Sequence, residues 1–432
     1  RICLFVIILI EIFNMHSSIN IGVYSEIGEL SAVILHSPGP EVENMTPETA
    51  QRALYSDILN LTVALREYSQ FYGVLKKVTN TFQVSTLLTE VLQDAKSKVK
   101  VIDKIVESDA HPEIKDYLNS LTPEQLTRLV IEGVPMKRNT LTSFLSKESY
   151  VLPPLHNFFY TRDSAIAIEN SIFVSRMANK VRERESIIME SIFDLHPIFK
   201  TQTLNPAGSE YYNRRATIEG GDLIVARHDI LLAGLGARTN SHGIDFLIDK
   251  FKEKKETRHI IVQELPSKPE SFIHLDMVFT LLSQNECMVY EPLILAPSSY
   301  STVHIHIENG EVKKIRYVDN IVSALKHLGM DLKPLFCGGR KDSVYMDREQ
   351  WHSGANFFAF APGKVLGYER NLYTIEELHN HGYEVIKAVD VLDHKVHPKN
   401  QNKCVITIEG SELPRGGGGT RCMTMPLSRK EI

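Results

Sequence analysis

From Val151 to the C-terminus, short β-rich runs alternate with single helical runs, and that alternation restricts the chain to a mixed α/β architecture. Residues 165–174, 222–234, 277–282, 287–295, 357–368 and 404–408 are rich in β-branched and aromatic residues, and several are bounded by Gly, Asn or Pro. They predict strands. Residues 181–193, 243–252, 321–328 and 375–380 predict helices. The spacing is that of repeated units of two or three strands with one helix, although no residue-level repeat accompanies it.

Upstream, Ser31-Ala32-Val33-Ile34-Leu35-His36 reads as a buried strand stopped by Ser37-Pro38-Gly39-Pro40. Residues 51–133 then change texture, with apolar positions at helical spacing such as Leu87, Leu88, Val91, Leu92 and Ala95, and a helix start at Thr122-Pro123. These leucine stripes are core. The expected organisation is an α/β domain over 15–432, interrupted by a helical insertion over 51–150.

A net charge of −5 and no long basic block give no reason to expect nucleic acid as a partner. A small polar or charged ligand is the natural one. The apolar run Ile2–Ile10 is too short to span a bilayer and lacks a following small-x-small cleavage site, so residues 1–14 read as translated upstream sequence and Met15 as the start. No membrane partner is expected. The five cysteines, Cys3, Cys287, Cys337, Cys404 and Cys422, are odd in number, scattered and without CxxC spacing. That argues against a disulfide framework or a zinc site and predicts a reducing, cytoplasmic location.

Four clusters can carry chemistry. Gly416-Gly417-Gly418-Gly419 strips every Cβ from a stretch of backbone just before Thr420-Arg421-Cys422, which is how a cysteine nucleophile is presented beside a cation. A phosphate loop is set aside, because Gly-Lys-Ser/Thr opening a helix is missing. Thr217-Ile218-Glu219-Gly220-Gly221-Asp222 brackets a Gly-Gly with two acids, and Asn157-Phe158-Phe159-Tyr160-Thr161-Arg162-Asp163 places a polar and aromatic stretch before a strand. In Phe272–Phe279, read as a strand, His274 and Asp276 face the same way while Ile273, Leu275 and Met277 face the other. That pair is open to metal binding, acid/base work or a surface role. Acid/base work is favoured, since further ligands at plausible spacing are missing and His304-Ile305-His306 reads as solvated strand histidines.

One cysteine, one histidine beside a carboxylate and several further acids form an unusual inventory. Clustered anions oppose formation of a thiolate unless a cation joins them. A guanidinium from the substrate, whose donors match carboxylates in pairs, accounts for the acids.

At this point the motifs resemble the arginine deiminase family, within the larger group of guanidino-modifying enzymes, over nearly everything after Met15. The resemblance implies a five-bladed pseudo-symmetric α/β propeller with an inserted helical bundle. It also implies hydrolysis of L-arginine to L-citrulline and ammonia through a covalent S-alkylthiouronium on Cys422, without metal or organic cofactor. By the same resemblance His274 is the general acid/base, Glu219 supports it, and Asp163 and Asp276 grip the guanidinium. Asn157, Arg182 and Arg238 hold the amino-acid end, with Gly416 and Gly417 against the substrate. Some members carry an arginine where this chain has Gly417. An agmatine deiminase, an amidinotransferase or an inactive arginine-binding homologue are the alternatives; Arg182 and Arg238 would meet no carboxylate on agmatine and so favour free arginine. A homo-oligomer, dimer or tetramer, is expected.

Overall fold

Five sheets share one pattern, an antiparallel pair followed by a helix that crosses over to a parallel strand. In a computed structural model, residues 18–47, 57–199 and 201–432 are described; the expectation for residues 1–14 falls outside them. In the first sheet, Leu30–Leu35 pairs antiparallel with Met425–Arg429 and, across helix Leu61–Val78, parallel with Asn80–Gln83. The first and last described strands therefore share one sheet. The second joins Ala165–Ile168 and Ser171–Val174 to Gln202–Leu204 through helix Glu183–Leu195. The third joins Leu223–Arg227 and Ile230–Leu235 to Arg258–Glu264 through helix Ser241–Glu253. The fourth pairs Phe279–Ser283 with Glu286–Val289 and then Lys333–Phe336. In the fifth, Phe358–Ala361 and Lys364–Tyr368 are followed by Cys404–Ile408 and Glu384–Lys387.

Three of the predicted strands, 165–174, 222–234 and 357–368, turn out to be hairpins, and 287–295 ends in helix Glu291–Ile294. Residues 165–174 contain two strands because the chain reverses between Ile168 and Ser171, with Glu169 in the left-handed region at φ 53°. No glycine or proline marks that turn, which is why it reads as continuous. The predicted helices lie where expected: 243–252 falls in Ser241–Glu253 and 321–328 in Ile321–His327. Helix Pro123–Glu132 begins on a capping box between Thr122 and Gln125 with proline in its first turn.

Within the block predicted as a helical insertion, two behaviours appear. Helix Leu61–Val78 and strand Asn80–Gln83 belong to the first sheet, and this helix buries Phe71, Val74 and Leu75 in the core with Phe358 and Ile406. Helices Val84–Gln93, Ala95–Asp109 and Pro123–Glu132 instead pack on one another through Leu88, Ile102, Ile105 and Val130. No described helix is long and apolar enough to cross a membrane.

Each sheet delivers a side chain to one place. Asp163 precedes strand Ala165–Ile168, Glu219 precedes Leu223–Arg227, and His274 and Asp276 precede Phe279–Ser283. Cys422 precedes Met425–Arg429, and Asn356 precedes Phe358–Ala361.

Candidate active site

Phe272–Phe279 is not a single strand: His274 precedes the 3-10 turn Leu275–Met277, and the strand starts only at Phe279. The strand argument for a shared His274 and Asp276 face is therefore corrected. Helical turning drives it, because Asp222 Oδ1 accepts the Leu275 amide at 2.9 Å and the Met277 amide donates back to the His274 carbonyl. The two side chains part company. His274 faces a cavity, whereas Asp276 lies behind Cys422.

That cavity, about 310 Å³, is lined by Asn157, Asp163, Arg182, Arg238, His274, Gly416, Gly417 and Cys422, with Tyr160, Phe272, Pro414 and Trp351 among its other walls. Glu219, fully buried, stands behind His274. A larger cleft of about 1400 Å³ elsewhere holds none of these residues, and its Lys254 and Arg258 are both taken by Glu169.

The histidine is held from two sides. His274 Nε2 lies 2.9 Å from Glu219 Oε2, and Nδ1 lies 3.6 Å from Asp163 Oδ1. Burial on its own lowers an imidazole pKa, yet Asp163, the Glu219 hydrogen bond and Asp222 overcome it and raise His274 to about 9. It is an imidazolium at neutral pH. Burial pushes the Glu219 carboxyl up, but the His274 hydrogen bond with Arg238 and Arg182 nearby brings it to about 2. Asp222 goes the other way, raised to about 6 chiefly by burial.

Gly221 is required by that packing. A Cβ there would stand 2.5 Å from His274 Nδ1 and 3.1 Å from Asp163 Oδ1, so Gly221→Ala must displace the ring. Since an ångström of misplacement can cost on the order of 10²-fold, kcat/KM is expected to fall by about that factor. Steady-state kinetics on a variant with unchanged Tm checks it.

Cys422 is 3% exposed. Its Sγ receives a contact from Asn356 Nδ2 at 3.2 Å and lies 3.7 Å and 3.8 Å from the two Asp276 oxygens. Asn356 Oδ1 in turn accepts the Arg421 and Cys422 amides. Burial, then Asp276 and Asp163, push the thiol well above its ordinary pKa, although Arg421 opposes them. Arg421 does flank the cysteine, but its guanidinium is spent on Glu26 at 2.9 Å and Asp276 at 2.8 Å. Among the described residues no hydrogen bond links Cys422 to His274, so the pair is not a preformed thiolate–imidazolium couple.

The glycine run serves close approach as well as freedom. Added Cβ atoms at Gly418 and Gly419 would collide with Tyr160 and Asn356, each at 2.5 Å. Gly417 has φ +87° and open space around it.

Arg182 departs from its expected use. Its guanidinium binds Asp163 at 2.7 Å and Glu185 at 2.8 Å and lies 4.0 Å from Glu219, all of them buried. It fixes Asp163 rather than offering a spare fork. Among the described residues Arg238 Nη1, buried and 3.7 Å from Glu219, has no hydrogen-bond partner, and Asp163 Oδ1 likewise accepts no hydrogen bond. Asp163, Glu219 and His274 place ligand-capable atoms within 4.8 Å of one another. The same carboxylates already face Arg182 and Arg238, whose charge competes with a metal ion there.

Sequence reasoning missed Asn356, the 3.2 Å neighbour of Cys422, and gave no role to Glu26 or Asp222. The signal for Asn356 is positional, since it lies just before the first strand of the fifth sheet, as the other site residues do in theirs.

A family model described as arginine deiminase matches residues 51–429. Among curated proteins, the arginine deiminase of Bacillus thuringiensis subsp. konkukian is 33% identical over 95% of this chain and 99% of its own length. That of Borrelia garinii subsp. bavariensis is 32% identical, covering 95% and 98% respectively. Among solved structures, SxtG, an amidinotransferase from Microseira wollei in the saxitoxin biosynthetic pathway, superposes with a TM-score of 0.54 at 13% identity, covering 95% of this chain and 98% of its own. The N-terminal domain of ArgZ, a cyanobacterial arginine dihydrolase, gives 0.50 at 12% identity, covering 92% and 97%. At such identities the structural likeness concerns the α/β fold.

Proposed function

Because the chain belongs to the arginine deiminase family, we propose that it hydrolyses L-arginine to L-citrulline and ammonia in the cavity formed around Cys422 and His274. One observation carries the reading: the cavity holds a carboxylate oxygen, Asp163 Oδ1, and a guanidinium nitrogen, Arg238 Nη1, each buried and without a hydrogen-bond partner among the described residues. A molecule with a guanidinium at one end and a carboxylate at the other satisfies both.

In this reading the guanidinium enters between Asp163 and the Cys422 and Asp276 wall. Its charge offsets the carboxylates that hold the thiol protonated, so thiolate forms only with substrate present. The thiolate attacks the central carbon, making the C–S bond. His274 gives its proton to the terminal nitrogen, ammonia departs with the C–N bonding pair, and an S-alkylthiouronium remains. Neutral His274 then takes a proton from water and the hydroxide adds to the same carbon; as the C–S bond breaks with its electron pair on sulfur, the adduct's hydroxyl proton passes to the released ammonia, giving citrulline, ammonium and the thiolate. Glu219 keeps the imidazole oriented throughout. Arg238 and Asn157 receive the amino-acid end, while Arg182 acts on the substrate through Asp163.

We extend the proposal to architecture: the five repeated sheets close as a five-bladed propeller, with helices Val84–Gln93, Ala95–Asp109 and Pro123–Glu132 of the 51–150 block as its helical addition. The first sheet, joining Met425–Arg429 to Leu30–Leu35, supports that closure. A homo-oligomer and a cytoplasmic location belong to the same reading; Cys287, Cys337, Cys404 and Cys422 are free and buried, which suits a reducing compartment.

The test is a ureido-product assay on arginine, agmatine and free guanidine in parallel. Arginine is expected to be the substrate. Arg238→Ala is expected to cost kcat/KM for arginine about 1.5–3 kcal/mol, roughly 10- to 150-fold, the worth of a charged hydrogen bond. Guanidine turnover should change little, and equal losses on both would remove Arg238 from carboxylate recognition.

A further inference from the structure

The third sheet alone among the five carries an extra hairpin, Thr302–Glu308 with Glu311–Val318, added to the edge of Arg258–Glu264. It holds the His304-Ile305-His306 motif, for which the sequence supplied no third ligand. The fold supplies one. In the antiparallel register His306 lies opposite His259 and His304 opposite Ile261, so strand alternation puts His259, His304 and His306 on one face. Ile305 and Ile307 turn to the core. His259 Nδ1 is 3.1 Å from His304 Nε2, and the His306 ring stacks on His259 with centroids 4.8 Å apart. The reaction uses none of the three.

We propose that His259, His304 and His306 form a binding site for a divalent transition metal of the zinc type, separate from the catalytic cavity. Two nitrogens on one tetrahedral zinc, each about 2.0–2.1 Å away, stand roughly 3.3 Å apart, close to the spacing of the first two rings. Exchanging the ring proton they share for a metal requires each ring to swing its lone pair about 35° off the line between the two nitrogens. His306, half-buried, turns out of its stack to bring the third nitrogen, and solvent completes the shell. Metal binding needs neutral imidazoles. The 3.1 Å hydrogen bond between His259 Nδ1 and His304 Nε2 needs one ring nitrogen as acceptor, so at least one of the two rings is neutral in it. An all-nitrogen set without thiolate suits zinc, nickel or copper(II).

Lys314 and Arg316 stand opposite His306 and His304 on the next strand, exposed and without an ion pair among the described residues. Their charge weakens cation binding. It would instead favour an anion such as phosphate, whose charge would be met by these two cations rather than by the rings. The two occupants therefore respond in opposite ways to loss of a lysine.

The experiment titrates the chelator-treated full chain with zinc, then cobalt(II), following stoichiometry by equilibrium dialysis and ligand type by the visible cobalt spectrum. One metal per chain is expected, with ligand-field bands and no sulfur charge-transfer band. His259→Gln and His304→Gln are each expected to weaken zinc by more than the roughly 10–100-fold that losing an outer-shell partner costs. Both should turn over arginine normally in chelator, which shows that they fold. Lys314→Gln is expected to tighten zinc. No zinc binding, unchanged affinity in the histidine variants, weaker zinc binding in Lys314→Gln, or a sulfur band that disappears with Cys422→Ser would each overturn the proposal.

Discussion

Arginine turnover is expected to fall by ~10⁴-fold or more in Cys422→Ser, as it does when a covalent nucleophile is removed, while arginine still binds. The reason lies in how the sulfur is surrounded. In a serine hydrolase a neighbouring histidine takes the hydroxyl proton, but here no hydrogen bond joins position 422 to His274, and His274 is already protonated at neutral pH. Activation must come from lowering the pKa of the group itself. Burial, Asp276 and Asp163 hold even a thiol well above its ordinary value, and in the proposed mechanism the bound guanidinium opposes them. A hydroxyl, several pKa units weaker as an acid, stays protonated under the same field. Oxygen for sulfur leaves the Asn356 contact and the Asp163 and Arg238 groups in place, so affinity survives. Calorimetric binding beside single-turnover assays separates the two quantities. Residual turnover within tenfold of the native rate would show that the sulfur does not form the covalent bond.

What the sequence disclosed and what it hid follow from the range of each interaction. Helices such as Ser241–Glu253 and Pro123–Glu132 were legible because caps and apolar spacing are local signals. Two hairpins read as single strands because their turns lack glycine and proline, at Glu169 and at His228, whereas 357–368 reads as one strand despite Pro362-Gly363 in its turn. Cys422, His274, Asp163 and Glu219 stood out because acids, a glycine run and a lone cysteine are chemically conspicuous among apolar neighbours. Asn356 was silent, since its role depends on an approach across 66 residues to Cys422. The pairing of Arg182 with Asp163 and Glu185 was equally hidden, because a sequence shows an arginine but not whether its fork is already filled. His259 and His304, 45 residues apart, illustrate the same limit outside the cavity.

Glu219→Gln is expected to lower kcat by about 10³–10⁴-fold and to move the alkaline limb of kcat/KM toward lower pH. Glu219 Oε1 accepts the Ala178 amide at 3.0 Å, and this contact fixes which end of a glutamine faces that way. Its amide oxygen keeps Ala178, so its NH₂ meets His274 Nε2, which must then accept rather than donate. Neutral imidazole is favoured and the proton needed by departing ammonia is lost. The sign follows from the anions around the ring: Asp163, the Glu219 hydrogen bond and Asp222 hold the native His274 at about 9, so the acid is available from neutral pH up to that value. Losing one anion brings it down, on the order of one unit or more for a partner this close. The same raised pKa means that His274 contributes stability in full below its ordinary value near 6.5 and loses it as pH climbs through about 9. Glu219, depressed to about 2, contributes above its ordinary value near 4.3 and loses that contribution as pH falls toward 2. The variant should therefore melt earlier at neutral pH while its stability declines less between pH 7 and 9. A pH series of kcat/KM with parallel thermal melts measures both, and an alkaline limb that stays in place would mean that Glu219 does not control the proton on His274.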